Sequence, residues 1–463
     1  MGIRKKAITT TVAIALVVAL VVGLALGYLV SMITAPPAAA TVTETIVSTK
    51  TLATTVFQTT TIPATGVFTV TVTSQITTAA PTGLPKEILI GALLPMTGPL
   101  ASFGENDKAA IEVAIDEINA FLKDLGIPST VKLLVEDSEV KPAVALEKLT
   151  SLNAKGVKFV IGPMASSELK HIKGYADANK ILLFSQSSTA PELGIEDDFI
   201  FRLCPCDIWQ GRAIARMIYE SNIKYIVAIW RGDPWGDGLE RVVKERLGEL
   251  GGEVAAEIRY DPDAKEFSAE VSTLASKVSE LINKYGADKV AVLDLSFEEA
   301  AMLLKQASEY DVLGKVRWFG SDGTALSEEI RKDPTSASFS VKTRFLNSIF
   351  TPTKLKKYSE VREKIISKVG REPESYAYNT YDAAWLIALS LLCVGKYDSE
   401  AVKKVLLTIA NNYFGSTGWM ILDKAGDRLP TNYDFWMIVE VAGKYEWKLV
   451  AMYDVVMDSI TWY

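Results

Sequence analysis

The sequence has little histidine and little cysteine for its length. Its 463 residues include one histidine, His171, and three cysteines. Zinc sites and Ser-His-Asp triads rely on imidazole, so this composition disfavours histidine-based hydrolysis and predicts neither a metal site nor a cofactor. Cys204, Cys206 and Cys393 are too few for a disulfide scaffold and leave one thiol unpaired in any intramolecular scheme. We interpret them mainly as small buried residues, with a bridge from Cys204 or Cys206 to Cys393 as the alternative.

The sequence also lacks long basic runs. Its formal net charge is -7, and no basic run extends beyond Arg4, Lys5 and Lys6. Nucleic-acid-binding surfaces need clustered Lys and Arg, so no nucleic-acid partner is predicted. At this length one hydrophobic core is not enough, and two globular units plus extensions are expected.

The N-terminus has the pattern of a membrane anchor. Residues 1–6 form a basic flank, and residues 7–30 carry no charge. Crossing the hydrocarbon core takes about 20 apolar residues. We therefore predict a cytoplasmic flank at 1–6, an uncleaved transmembrane anchor at 7–34 and an extracellular remainder. Two alternatives stay open: a secretory signal cleaved near the alanines at 38–40, or a pilin-like signal, which the sequence RKKAITT resembles and which keeps its apolar segment.

A threonine-rich segment follows at residues 35–85. Residues 68–73, FTVTVT, alternate like a strand, but nothing nearby offers an obvious pairing partner or covering face. We predict a disordered or extended stalk, with threonines available for O-glycosylation, that raises a globular domain above the membrane.

From residue 86 onward, strand-like and helix-like patterns alternate. The first run has strands at 88–94, 131–135, 157–161 and 181–184, with helices at 107–125, 142–154 and 167–178. The alternation restarts after residue 202, with helices at 208–220, 238–250, 268–285 and 298–310 and strands at 225–230, 254–260, 289–295 and 316–319. This pattern predicts an α/β fold of two doubly wound, Rossmann-like lobes that face each other across a cleft.

The last third of the chain has a different pattern. Helices are predicted at 355–369, 376–392 and 400–412, followed by a β-hairpin over 433–452 that turns near Gly443. We expect this portion to complete both lobes, so that the chain crosses between them several times and forms a multi-strand hinge. Lobe 1 would comprise residues 86–204 and about 344–426, and lobe 2 residues 205–343 and about 427–463.

The stretch ILLFSQSSTAPEL at 181–193 is the strongest candidate for a binding site. A short apolar strand runs directly into a cluster of hydroxyl side chains that includes Ser187 and Thr189. In an open parallel sheet, ligands bind beyond the carboxyl ends of the strands, where backbone N–H groups and helix N-termini can hold an anion. Thr189 before Ala190 and Pro191 is also typical of a helix N-cap, so a loop without a ligand is the alternative.

Several motifs resemble the leucine/isoleucine/valine-binding proteins, which are type I periplasmic solute-binding components of ABC importers. The matching blocks, in order, are IGALLPMTGP at 90–99, Gly104, AIDEINA at 114–120, IGPMASS at 161–167, STAPEL at 188–193 with Ser187 before it, FGSDG at 319–323 and residues 373–381. The resemblance covers nearly all of residues 86–463. It implies a bilobed fold that closes on a free amino acid.

The resemblance also implies roles for individual polar residues. Ser187 and Thr189 match the positions that hold the ligand's main-chain atoms, and Asp322 matches the acid that pairs with the ammonium group. Ser166, between a predicted strand and helix, can offer its hydroxyl and backbone N–H to a carboxylate, or act as a plain N-cap. Asp294 and Glu299 are weaker candidates, and Glu299 is expected to face water.

Aromatic residues are expected around the ligand. Phe103, Trp235 and Tyr376 match positions where the family places rings, with Trp235 predicted in a turn after a strand, and Tyr376 could equally be a core residue. One departure is predicted from an ungapped alignment: Ser296 stands where the family has a second-lobe tyrosine. This puts leucine-like specificity in doubt, because a larger or more polar solute could fill the space.

Together these features predict a membrane-anchored, surface-displayed solute receptor. It would capture an amino acid, branched-chain or hydrophobic, and deliver it to an ABC permease without covalent chemistry. The alternatives are a binder of an amide, urea or another small polar solute, or a sensor ectodomain. An enzyme with Ser187 or Ser188 as nucleophile is least favoured, since no base is nearby in the sequence.

Overall fold

The computed structural model describes residues 83–463 and the backbone of two further strands, β1 (Ala53–Thr61) and β2 (Thr69–Thr77). β1 and β2 pair antiparallel along their whole length. The expectation that the threonine-rich segment has no pairing partner is therefore wrong for these two strands. The predicted anchor at 7–34 and the rest of the stalk lie outside the described residues.

The folded part contains two main sheets. Its strands are, in chain order, β3 (Glu87–Leu94), β4 (Thr130–Asp137), β5 (Phe159–Ile161), β6 (Leu182–Ser185), β7 (Ile200–Pro205), β8 (Tyr225–Arg231), β9 (Glu253–Tyr260), β10 (Val290–Leu295), β11 (Arg317–Gly320), β12 (Leu346–Phe350), β13 (Phe414–Gly415), β14 (Gly418–Trp419), β15 (Asp427–Arg428), β16 (Tyr433–Val441), β17 (Lys444–Asp454) and β18 (Ser459–Trp462). The first sheet has the order β15-β7-β6-β5-β3-β4, and all its pairs are parallel. The second has the order β18-β17-β16-β12-β11-β10-β8-β9. It is parallel from β9 to β12 and antiparallel from β12 to β18.

Helices cover the faces of both sheets. They are α1 (Ala101–Asp124), α2 (Pro142–Ala154), α3 (Ser166–Asn179), α4 (Asp207–Glu220), α5 (Pro234–Glu249), α6 (Ser268–Tyr285), α7 (Ala300–Ala307), α8 (Glu328–Lys332), α9 (Pro334–Thr343), α10 (Lys356–Val369), α11 (Ser375–Val394) and α12 (Ser399–Ala410). Because helices lie on both faces, strands such as β5, β6 and β10 are buried along their whole length and are almost purely apolar. The predicted two-lobed α/β fold is confirmed.

Two helices begin earlier than the sequence patterns predict. α1 begins at Ala101 and not at residue 107, and Gly104 permits this because a Cβ there would lie 2.1 Å from the Pro95 carbonyl oxygen. α5 begins at Pro234, where Asp233 is the N-cap and accepts a hydrogen bond from the Gly236 N–H (3.0 Å). A proline at the first helical position had been expected to mark a turn.

The predicted C-terminal hairpin is confirmed. β16 and β17 pair antiparallel and are joined at Ala442 and Gly443. Both residues have positive φ values, 50° and 76°, as a tight two-residue hairpin turn requires.

The chain crosses between the two sheets three times in the described part. The crossings lie between Pro205 and Asp207, between Phe350 and Lys356, and after Arg428. The boundaries at about 344 and 426 stay a prediction. β12, at residues 346–350, belongs to the second sheet and β15, at residues 427–428, to the first.

The lobes are packed against each other. One apolar cluster joins Leu100, Phe103 and Met164 of the first lobe to Trp235 and Phe297 of the second. The two lobes therefore share part of their core at the cleft, as in the closed form of a hinged protein.

Helix α11 is long and apolar enough to cross a membrane, but 72% of its most apolar window is buried inside the fold. All three cysteines lie in the described part and none forms a disulfide. Cys204 is buried, whereas Cys206 and Cys393 are half-buried. The alternative of a bridge to Cys393 is therefore wrong.

Candidate functional site

A small cleft lies between the lobes, beyond the carboxyl ends of β5, β6 and β11. Its cavity volume in this closed form is about 20 Å³, which is room for about one water molecule. Six of the seven predicted site residues line it, and Thr189 does not. The lining residues are Leu100, Phe103, Met164, Ala165, Ser166, Ser187, Trp235, Phe297, Asp322, Gly323 and Tyr376.

The first-lobe side of the cleft contains the N-terminus of α3. Its N-cap is Ala165, which cannot cap the helix, so the alternative of Ser166 as a plain N-cap is wrong. The first intrahelical bond is donated by the Leu169 N–H to the Ala165 oxygen (3.1 Å). The N–H groups that precede it in the helix, among them those of Ser166 and Ser167, have no intrahelical partner and point toward the helix start. Such a terminus can bind a carboxylate through its N–H groups and its dipole.

The hydroxyl groups on this side already form hydrogen bonds with other groups of the protein. Ser166 Oγ lies 3.0 Å from Ser188 Oγ and accepts a hydrogen bond from the Ala190 N–H (3.2 Å). Ser187 Oγ donates to the Met164 carbonyl oxygen (2.9 Å). The hydroxyls therefore hold the loop after β6 against the start of α3, and the backbone N–H groups are the better candidates for binding an anion.

Thr189 is placed differently from the prediction. The structure shows only a short 3-10 helix, Pro191–Leu193, whose N-cap is Ala190 and not Thr189. The Thr189 carbonyl oxygen accepts the Asp207 N–H (2.9 Å), so Thr189 joins the site loop to the start of α4 at the first crossing.

Arg202 positions this loop, and the sequence reading had not identified it. It is buried, paired with Asp427, and its Nη1 donates to the carbonyl oxygens of Ser188 (3.2 Å) and Ala190 (2.6 Å). A guanidinium can make these bonds together because its donors lie in one rigid plane. Arg202 thus holds the loop after β6 in place through two of its carbonyl oxygens.

The second-lobe side provides a buried carboxylate. Asp322 follows β11, is 4% exposed and accepts a hydrogen bond from Tyr376 Oη (2.5 Å), which reaches it from the first lobe. Its Oδ1 has no donor at bonding geometry among residues 83–463. Burial raises the pKa of Asp322, although the Tyr376 hydroxyl, then the Gln210 side chain and the backbone N–H groups of Asp322 and Gly323, lower it. A cationic donor in the cleft would satisfy this open oxygen.

A second buried acid, Asp207, lies close to Asp322. Burial raises the pKa of Asp207 well above its ordinary value, the charge of Asp322 raises it further, and the Thr189 hydroxyl lowers it. Asp207 does not line the cleft. It lies in the first turn of α4, and the sequence there indicates the start of a helix but not a site residue.

Aromatic rings complete the second-lobe wall. Trp235 lies in the first turn of α5, so the prediction that it occupies a turn is wrong. It packs on Phe297 with ring centroids 4.6 Å apart. Phe297, next to Ser296, lines the cleft with a second-lobe ring, and Ser296 Oγ donates a hydrogen bond to Asp294.

The two weaker acidic candidates do not line the cleft. Glu299 accepts hydrogen bonds from Arg231 (2.7 Å) and from Tyr260 Oη (2.9 Å), so the expectation that it faces water is wrong. Asp294 is buried against Ser296, and burial raises its pKa to about 7.

Sequence comparisons find relatives of this chain. A family model described as "Receptor family ligand binding region" matches residues 106–440. An uncharacterized protein of Methanocaldococcus jannaschii is 34% identical over 408 residues, which cover 84% of this chain and 95% of that protein. The leucine-, isoleucine-, valine-, threonine- and alanine-binding protein of Pseudomonas aeruginosa is 25% identical over 359 residues, 76% of this chain and 88% of that protein.

A solved structure shares the fold. A leucine-binding protein of Thermotoga maritima superposes with a TM-score of 0.66 at 22% identity, over 78% of this chain and 97% of that one. The shared fold covers almost all of the part that the structure describes here.

Proposed function

The chain belongs to the receptor-family ligand-binding region family, among the type I periplasmic binding proteins of the branched-chain amino acid type, and from this premise we propose that it captures a free amino acid in its interlobe cleft. The chain is a solute-binding receptor by its relatives. The ligand and its delivery to an ABC permease are the proposal.

One observation carries the proposal: two opposite electrostatic sites face each other across one small cleft. The α3 terminus, with N–H groups free of intrahelical partners, suits a carboxylate, and the open oxygen of Asp322 suits an ammonium group. A free amino acid carries both groups on one carbon. Rings of Phe103, Trp235 and Phe297 provide the apolar wall.

The two sites belong to different lobes, which provides a mechanism. A ligand contacts both only when the lobes are closed, so binding shifts an open–closed equilibrium toward the closed form. The direct bond from Tyr376 to Asp322 also joins the lobes in this form.

The proposal extends to the cellular context. The basic flank and apolar segment at residues 1–34 support an anchored receptor whose binding domain lies outside the cell, next to permease subunits. The Pseudomonas aeruginosa relative is named for binding leucine, isoleucine, valine, threonine and alanine, which supports an amino acid as cargo.

Thermal unfolding of the full chain against single amino acids tests the proposal. Ligand at 100 times its dissociation constant should add about 2.7 kcal/mol to stability. The expected result is an upward shift with at least one free amino acid and none with its amide or its N-acetyl derivative, because each derivative loses one of the two charges. Equal shifts with the derivatives, or with a urea-type compound alone, would contradict the proposal.

A further inference from the structure

The cleft contains one buried donor that the protein leaves without an acceptor. The Trp235 side chain is 2% exposed, yet its Nε1–H has no acceptor within residues 83–463. Buried tryptophan N–H groups usually find a partner. Three other tryptophans of this chain do so: Trp230 donates to Asp237 (2.9 Å), Trp318 to the Leu313 oxygen (3.1 Å) and Trp447 to the Ser327 oxygen (3.1 Å).

The Trp235 ring is held in the wall of the cleft. It packs on Phe297, and a Cβ on Gly323 would lie 3.1 Å from its Cη2 atom. Gly323 follows Asp322 directly, so the ring lies against the same segment that carries the proposed ammonium site. An occupant held by Asp322 is therefore close to the six-membered ring of this indole, and Trp235 itself lines the cleft.

The main-chain groups of an amino acid do not provide the missing acceptor. Its ammonium group has only donors, and its carboxylate is assigned to the α3 terminus on the opposite lobe. The acceptor must come from the side chain of the ligand. A second carboxylate fits poorly, because Asp322 and Asp207 are already two buried acids at the site, and the nearby Arg231 is already paired with Asp233 and Glu299.

We propose that the ligand is an amino acid with a neutral hydrogen-bond acceptor in its side chain, a hydroxyl or a carboxamide, and that Trp235 Nε1 donates to this acceptor. The inference rests on the proposed function and narrows its substrate class. A purely aliphatic side chain would leave the N–H buried and unpaired, whereas its polar isostere would not. The polar member of an isosteric pair should bind about tenfold more tightly or better.

The experiment is calorimetric titration of the full chain with two near-isosteric pairs, valine with threonine and leucine with asparagine. The wild type should prefer threonine and asparagine. Trp235→Phe keeps a ring but removes the N–H, and should abolish the preference. Trp385→Phe is the matched control: its N–H also lacks an acceptor at bonding geometry in the described part, but it lies on α11 away from the cleft, so the preference should persist.

A second measurement does not depend on a variant that folds. The indole N–H resonance of Trp235 in the wild type should shift downfield with threonine and not with valine. Tighter binding of valine and leucine, or a preference that persists in a folded Trp235→Phe protein, would overturn the inference and leave the proposed function standing. Binding of neither member of either pair, nor of any other amino acid, would overturn both.

Discussion

Asp322 and Asp207 place two carboxyl groups in one water-poor region between the lobes. Burial raises the pKa of each, and the charge of Asp322 raises the pKa of Asp207 further. A positively charged group in the cleft would relieve this repulsion and satisfy the open oxygen of Asp322. A cationic ligand group would thus offset the energetic cost of burying these acids.

Asp322→Asn should weaken amino-acid binding by about 30-fold or more, because removing one partner of a buried charge pair costs at least about 2 kcal/mol. The asparagine oxygen can still accept the Tyr376 hydroxyl, and one buried carboxyl is lost. The unfolding midpoint of the ligand-free protein should therefore stay the same or rise. Calorimetric titration and thermal unfolding measure the two effects.

Asp294→Asn is the matched control for this substitution. It changes another buried acid of the second lobe that does not line the cleft. Affinity should be unchanged in this variant. Equal affinity of Asp322→Asn and the wild type would move the ammonium site elsewhere.

The sequence predicted most of the lining residues because short motifs occupy strand ends, and strand ends of parallel sheets meet at one place. It did not identify Phe297, which lines the cleft beside Ser296. It also failed for Asp207 and Arg202, whose positions depend on contacts with Thr189 and Asp427, far away in the chain. Periodicity carries no information about such contacts.

The N-terminal N–H groups of helices α1 and α3 are satisfied in different ways, and both arrangements matter for the cleft. In α3 the Ala165 side chain cannot cap and Glu168 accepts only the Ala165 N–H (3.2 Å), so the N–H groups of Ser166 and Ser167 stay available to an anion. α1 has Leu100 at its N-cap and is capped from the other lobe. Glu298 accepts hydrogen bonds from the Ser102 N–H (3.0 Å) and from Ser102 Oγ (2.6 Å).

The cap on α1 explains why its start was predicted six residues too late. A local cap leaves a signal in the sequence, as Asp233 and Pro234 do before α5. Glu298 lies 196 positions from Ser102, so its role appears only in the folded chain. The same contact joins the two lobes.

Glu298→Gln should open the lobes and weaken ligand binding by about tenfold. Glu298 is buried and accepts three hydrogen bonds, the third from Ser327 Oγ (3.0 Å), and the glutamine NH₂ group cannot accept. A buried donor left unpaired costs about 1–3 kcal/mol, and this cost falls only on the closed form. Titration measures the affinity, and the radius of gyration from small-angle scattering measures the open fraction.

Glu299→Gln provides the comparison for the neighbouring residue. Glu299 bonds to Arg231 and Tyr260 of its own lobe, so its substitution should leave the radius of gyration of the ligand-free protein unchanged. If Glu298→Gln and Glu299→Gln have the same scattering profile and affinity as the wild type, Glu298 does not hold the lobes together.

The folded protein contains further buried acids away from the cleft. Burial raises the pKa of Asp107, Glu168 and Asp294 to about 7 and that of Glu374 to about 8. Each carboxyl therefore keeps its proton in the folded state at pH values where the unfolded chain has released it. A folded state that binds more protons than the unfolded state loses stability as pH rises.

The unfolding free energy of the ligand-free protein should therefore fall between pH 5 and pH 8. The expected fall is at least about 1.4 kcal/mol, which corresponds to one pKa unit of one group. Urea denaturation at constant ionic strength measures it. Glu374→Gln should flatten the dependence, because it removes the carboxyl whose pKa is raised to about 8, whereas the surface substitution Glu400→Gln should not. Stability that rises from pH 5 to pH 8 would mean that these carboxyls are ionised inside the fold, and that local donors outweigh burial around them.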